Sequence, residues 1–239
     1  MAISLVNDVI KYCTQRGSRV HACSLDAEGA FDAIPHSILF GKASGVIPDQ
    51  MWRILVDWYS DLKVYIKWNN SLSDGIQVLK GTRQGGLSSP FLFNLFYQQL
   101  IDILNCTVGG ILINDVPYNV FCYADDLILT STSVTGLQKL INCANDYIVS
   151  HGLRFNPTKT QCATFGRKAP QTGWYIGGAK LAEADRIQYL GAVISDNSYH
   201  HAESRISACR RAFYALQGVG LCKRGANPDT IRYLASDHN

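Results

Sequence analysis

FCYADDLILT, residues 121–130, sets two adjacent carboxylates, Asp125 and Asp126, between two apolar stretches. Apolar runs on either side of turn-forming aspartates predict a β-hairpin with acids at its tip. Like charges this close raise each other's pKa unless a cation neutralises them. The dipeptide alone is better explained as turn chemistry, so a cation-binding reading rests on residues elsewhere.

One such residue is Asp26. Val20 to Leu25 reads as a short buried strand, and Asp26 stands at its carboxyl end, where a short acid has no packing role. Two strand ends can meet, and their carboxylates would then form an oxygen-only cation site suited to Mg²⁺. A pair of such ions about 3.5–4 Å apart is a device for in-line phosphoryl transfer. The same residues also allow Asp26 or Asp32 simply to cap the helix that follows.

Outward from these points the pattern alternates. Pro35 and HSILFGKASG predict a helix closed by Gly45, and a second helix fits 48–61 with Trp52, Leu55, Val56 and Tyr59 on one face. In LKVYIKW (62–68) the period becomes two, and the NNSLSDG turn leads to a partner strand near 76–79, predicting a hairpin. Gly81, Gly85 and Gly86 break the pattern before Pro90 opens a long apolar helix. Strands are expected near 111–113 and 119–123, a helix through Leu137, Leu140, Ile141, Ala144 and Ile148 stopped by Gly152, and strands near 160–165, 174–176 and 187–194. Further helices are expected through Ile206, Cys209, Phe213 and Leu216, and after Pro228.

Composition narrows the class. With 239 residues, 47% hydrophobic and 17% charged, the chain can bury a core and is not disordered by composition. No apolar run approaches the roughly 18 residues of a membrane span, and the first residues lack the pattern of a secretory signal. Eight cysteines without a CxxC pair suit free thiols better than zinc or disulfides. The net charge of +3 decides little, but its distribution says more. Residues 147–182 carry Arg154, Lys159, Arg167, Lys168 and Lys180 with no acid, and a second basic cluster runs from Glu203 to Arg224. These are either solvated faces or a phosphate-backbone track beside an acidic cation site.

Five stretches in order, LDAEGAFDAI (25–34), GTRQGGLSSPFLFNLF (81–96), FCYADDLILT (121–130), GLRFNPTKT (152–160) and IQYLGAVIS (187–195), resemble the palm motifs of reverse transcriptases of non-LTR (LINE-like) retrotransposons. The resemblance implies that Asp26 and Asp125 are the main metal ligands, Asp126 the third acid, and the Ala27 carbonyl a further ligand. It makes Phe31 the gate against a ribose 2′-OH, where the residues alone equally allow a core phenylalanine. Gln84 and Gly85 fall near the incoming nucleotide, and Lys159 where the family supplies a general acid, although a solvated surface lysine reads the same way. Tyr189, Leu190 and Gly191 fall in the strand pair that grips the primer end, and Arg205, Arg210 and Arg211 at the start of the thumb. Gly86 and Leu87 depart from a common Cys/Ser-Pro pair, and Gly29 from a common lysine; none is a metal ligand.

The expectation is therefore an α+β fold, a right-hand polymerase palm whose antiparallel sheet is backed by helices, over 1–195, followed by the truncated start of a helical thumb over 196–239. The fingers are expected to be mostly missing, with only 25 residues ahead of Asp26, and no endonuclease domain is expected. The implied function is RNA-directed DNA polymerase, with two Mg²⁺ ions, or Mn²⁺ as substitute. The implied partners are an RNA template, a DNA primer and deoxynucleoside triphosphates, in the nucleus or cytoplasm and with no membrane. The rival is a nucleic-acid-binding remnant without turnover. An RNA-directed RNA polymerase is disfavoured by Phe31, where those enzymes usually keep a second acid.

Overall fold

A computed structural model describes residues 2–82, 86, 88–167 and 173–196. The expected thumb, beyond Asp196, lies outside the described residues. The chain opens with helix α1 (Ala2–Gln15), whose Val6, Val9, Ile10 and Cys13 recur at three- and four-residue intervals and are buried. This helix goes beyond the expectation from sequence, although that spacing carries it.

Strand β1 (Val20–Asp26) follows, then the short α2 (Ala30–Ala33), α3 (His36–Ala43) and α4 (Asp49–Ser60). Prolines 35 and 48 stand at the N-caps of α3 and α4, where a missing N–H costs nothing. A hairpin arm comes next: β2 (Lys63–Val64) pairs with β5 (Ile76–Gln77), and β3 (Lys67–Trp68) with β4 (Ser71–Leu72). The alternation in LKVYIKW predicts a hairpin, and the arm is one. It consists of two short ladders exposed on both faces, Trp68 to 78%.

Helix α5 (Ser89–Cys106) begins with Pro90 in its first turn and buries Leu92, Phe93, Phe96, Tyr97, Leu100 and Leu104. At roughly 1.5–3 kcal/mol for each large side chain removed from water, this face is a main anchor of the fold. A small hairpin, β6 (Leu112–Ile113) with β7 (Val116–Pro117), leads into β8 (Val120–Tyr123), β9 (Asp126–Ser131) and α6 (Val134–Ser150). Ser133 caps α6, its hydroxyl accepting from the Gly136 N–H at 3.0 Å. The chain continues through β10 (Gln161–Phe165), a β11 (Tyr175–Ile176) and β12 (Ala179–Lys180) hairpin, β13 (Ala182–Ala184), β14 (Arg186–Tyr189) and β15 (Ala192–Ser195).

The central sheet runs β13-β10-β1-β9-β8. It is antiparallel throughout except for the β10–β13 pair, which is parallel and departs from the all-antiparallel expectation. Residues 187–194, expected as one strand, fold back at Leu190 and Gly191, whose φ angles of 49° and 70° belong to a tight turn.

Alternation along the strands splits the core. Cys23, Leu25, Leu127 and Leu129 pack on the side of α5 and α6; Val20, Ala22, Phe121 and Ile128 pack with α1, β14 and β15. The fold is thus mixed α/β, a largely antiparallel sheet with helices on both faces. Among the described residues no helix is long and apolar enough to cross a membrane.

Candidate active site

Antiparallel pairing of β1 with β9 sets Asp26 directly opposite Asp126. On the other edge of β1, the Asn156 N–H donates to the Asp26 carbonyl at 2.8 Å and the Glu28 N–H to the Arg154 carbonyl at 3.0 Å. Since successive peptide groups point to opposite edges, Asp26 spends its backbone on the 154–156 side and meets Asp126 in a non-hydrogen-bonded pair. That is the closer kind, with Cα atoms about 4.5 Å apart. By the same rule the Ala27 carbonyl turns toward the edge shared with β9. Both aspartates follow the even-numbered residues of their strands onto the α1 face.

Asp125 sits beside them in the turn between β8 and β9, where Tyr123 pairs with Asp126. Ala124 holds this turn at φ 52°, a left-handed conformation that glycine ordinarily supplies. The Cys122 thiol donates to the Ala124 carbonyl at 3.4 Å from within the hairpin.

The electrostatics follow from this crowding. Burial, then Asp125, then Asp26 raise the Asp126 carboxyl above its ordinary value. Burial pushes the Cys122 thiol up to about 11, with Asp125 and Asp126 adding to it. Burial likewise pushes the Tyr189 phenol up to about 12, helped by Cys122 and Asp126. Tyr97 is also raised, by burial first and by the charges of Cys122, Asp125, Tyr147 and Asp26 after it. The Tyr97 and Tyr189 hydroxyls are buried without a hydrogen-bond partner among the described residues.

One cation answers these acids: Lys159 Nζ lies 3.6 Å from Asp26 Oδ2. A tight turn holds the lysine there. The Asn156 side-chain oxygen accepts from the Thr158 N–H at 3.0 Å and from its hydroxyl at 2.7 Å, and the Lys159 and Thr160 N–H groups return to the Asn156 carbonyl.

Among the described residues no group of three or more His, Cys, Asp or Glu side chains is arranged to hold a metal ion by itself. What the strands present is hard oxygen: two opposed carboxylates, a third on the adjoining turn, and a carbonyl turned to the same edge. Such an incomplete set fits Mg²⁺ or Mn²⁺, since Mg²⁺ keeps several waters and completes its shell with substrate phosphates. The Lys159 ammonium stands beside the Asp26 carboxylate of this set.

Phe31 stacks on Phe93, with ring centroids 4.0 Å apart at 15°, yet stays half-exposed. Phe31 thus packs against the core while keeping part of its surface accessible. Its backbone is tied to the strand end that leads to Gln84 and Gly85: the Thr82 N–H donates to the Phe31 carbonyl at 2.7 Å, and the Gly81 N–H to the Ile34 carbonyl at 2.8 Å. Buried His36 adds a ring-nitrogen contact to the Gly81 carbonyl at 2.8 Å. Gln84 and Gly85 themselves lie outside the described residues, as do Arg205, Arg210 and Arg211.

Tyr189, Leu190 and Gly191 form the β14–β15 turn on the α1 face. A cleft of about 750 Å³ is lined by Ala2, Ile3, Leu5, Tyr123 and Leu190, and of these Tyr123 is the strand partner of Asp126. The contribution of α1 to this cleft, and the Asn156 and His36 anchors, were beyond sequence reasoning. The Asn156-Pro157 pair was the one signal for the turn that the sequence offered.

Comparison with known proteins completes the picture. Residues 2–194 match the family described as reverse transcriptase (RNA-dependent DNA polymerase). The chain is 26% identical over 211 residues to the transposon TX1 uncharacterized 149 kDa protein of Xenopus laevis, covering 82% of this chain and 15% of that protein. It is 26% identical over 202 residues to the Pol polyprotein of the type-2 retrotransposable element R2DM of Drosophila melanogaster, covering 79% and 19%. To the RNA-directed DNA polymerase of mobile element jockey from Drosophila funebris it is 24% identical, covering 72% and 19%. The chain thus spans less than a quarter of these relatives' length. Telomerase from Candida tropicalis shares the fold, with TM-scores of 0.51 for a truncated apo form and 0.55 for a complex, at 12% and 13% identity. Each match covers 81% of this chain, and 37% and 31% of the telomerase chains.

Proposed function

The chain belongs to the reverse transcriptase (RNA-dependent DNA polymerase) family, and from that premise we propose that it forms the palm of a retrotransposon's RNA-directed DNA polymerase. Its similarity to proteins of the TX1, R2 and jockey elements agrees with the non-LTR character of its motifs. The observation that carries the activity is the pairing of Asp26 with Asp126, with Asp125 on the adjoining turn.

In this reading the reaction joins a primer 3′-oxygen to the α-phosphorus of a deoxynucleoside triphosphate, breaking the bond to the pyrophosphate. Asp26, Asp125, Asp126 and the Ala27 carbonyl would hold two divalent cations, which when bound make the 3′-hydroxyl easier to deprotonate and neutralise the leaving group. The strands do the positioning: two acids fixed by register need no reorganisation as charge moves. In this reading the apolar cleft of α1, Tyr123 and Leu190 would take the primer end, with Tyr123 leading across its pair to Asp126. Phe31, held by Phe93 and Thr82, would use its accessible part to crowd a ribose 2′-hydroxyl. Lys159 holds a proton at Nζ that can pass to the departing pyrophosphate oxygen. The palm over 1–195, a thumb beginning after it, the template–primer partners and an intracellular setting belong to this same proposal.

Primer extension on an RNA template tests it, in the chain and in its Asp26→Asn and Asp126→Asn forms. Divalent-cation-dependent addition of deoxynucleotides, lost in both variants, is expected. Addition that survives either replacement would overturn the assignment. Salt-sensitive binding of primer–template with no addition would mark a nucleic-acid-binding remnant instead.

A further inference from the structure

Packing does not explain Lys159, because its side chain is 67% exposed and its ion-pair partner is Asp26, itself 40% exposed. Its placement nevertheless is built. Asn156 ties the turn to the Asp26 backbone by one hydrogen bond and shapes the turn with its side-chain oxygen. Thr160, the next residue after the lysine, is buried. The main chain that carries Lys159 is thereby fixed to the strand end that carries Asp26, while the long side chain is left able to swing. Among the described residues the other ion pair, Lys63 with Asp61, lies on the exposed hairpin arm and touches no part of this site.

An ammonium 3.6 Å from Asp26 Oδ2 competes for the charge of the carboxylate that a divalent cation would use. Both cannot stay, because a doubly charged ion repels the lysine with twice the strength of a single charge. We infer that Lys159 is a built-in counter-ion which any divalent cation must displace from Asp26, so that this lysine sets the metal affinity of the acids. This rests on the cation-binding reading of Asp26 and Asp126 given above. Displacement moves the ammonium off the carboxylate and leaves its three N–H donors free for a phosphate oxygen. One side chain thus guards the acids before the ion arrives and becomes available to substrate afterwards.

The test is Mn²⁺ titration of the 239-residue chain at fixed pH and ionic strength, with free Mn²⁺ read by electron paramagnetic resonance. The variants are Lys159→Gln, which removes the charge; Lys159→Arg, which keeps it; and Asp26→Asn, alone and combined with Lys159→Gln. Lys159→Gln should bind Mn²⁺ about two- to fivefold more tightly than the parent, the range an exposed ion pair supports, while Lys159→Arg stays close to the parent. In the Asp26→Asn background the glutamine should have no further effect, since the competition is for that carboxylate. Circular dichroism melts keep folding in view, and loss of one exposed ion pair should lower them only slightly. Affinity unchanged or weakened in a folded Lys159→Gln variant would overturn the inference while leaving the acid site standing. Absence of Mn²⁺ binding in both parent and Lys159→Gln would overturn the inference together with the reading beneath it.

Discussion

Replacing Asp126 by asparagine should make the metal-free chain more stable at neutral pH, an unusual outcome for a half-buried polar residue. Asp125 and Asp126 are neighbours in the unfolded chain too, so the repulsion that folding adds is the one between Asp126 and Asp26, brought into register by β1 and β9. Two unit charges about 5 Å apart repel by roughly 0.8 kcal/mol at the dielectric constant of water and roughly 3 kcal/mol at an effective value of 20. The site is half-buried, and Lys159 offsets part of the Asp26 charge, so about 1–2 kcal/mol is the expected gain, or roughly 2–8 °C in melting temperature. Because the folded Asp126 carboxyl is raised, by burial first and by the two acids after it, the folded chain binds more protons than the unfolded one above about pH 3.9. The stability Asp126 contributes is therefore full below the unfolded pKa and is lost as pH rises through the folded one. Urea denaturation in EDTA should show the asparagine form ahead at pH 7 and level with the parent near pH 3. Adding Mg²⁺ should then stabilise the parent more than the variant. A variant no more stable than the parent at pH 7, or an advantage that persists undiminished at pH 3, would refute the charge-crowding argument.

Other expectations concern the frame around the acids. Phe31→Ala should lower the deoxy-to-ribo ratio of kcat/KM in primer extension and cost about 1–2 kcal/mol from the lost Phe93 stack; a stability loss with the ratio unchanged would make Phe31 a core residue only. Gly81→Ala should cost about 1–3 kcal/mol in denaturant unfolding, since a Cβ there would meet the Asp32 Cα at 2.8 Å on a backbone at φ +85°. His36, whose pKa burial lowers against the opposite pull of hydrogen bonds to Gly81 and Lys80, contributes stability that is present above the unfolded value near 6.5 and lost as pH falls through the folded one. His36→Gln should therefore flatten the change in urea midpoint between pH 7 and 5, and an unchanged slope would remove His36 as its source.

Much of this architecture was legible because its signals are local. The acid-tipped hairpin, the strand ending at Asp26 and the helices opened by Pro35 and Pro90 each announce themselves within a dozen residues. Signals that depend on a partner fared otherwise. The alternation in LKVYIKW is real, but a period of two says nothing about whether anything covers either face, and here both are exposed. Residues 187–194 read as one strand because the fold-back at Leu190 relies on a non-glycine residue adopting a glycine-like angle. The parallel partner of β10 comes from a three-residue strand too short to carry a period. At the site, Asp26, Asp125 and Asp126 were found as residue types at strand ends. Their opposition, and the Asn156 turn that brings Lys159 to Asp26, belong to register and to long-range hydrogen bonds that no spacing rule reveals.

Register has one more implication. Along a strand, neighbouring residues look to opposite sides, so moving β1 by a single position against β9 would send Asp26 to the side of Leu25 and seat an apolar residue across from Asp126. All three acids would remain in the gene, and the site would be gone. Tolerance in this protein should therefore be lopsided: many exchanges within the strands can be absorbed, whereas one residue gained or lost between Val20 and Asp26 erases the chemistry outright. The history of such a chain would be written in what its two central strands never inserted or deleted, more than in the acids they kept.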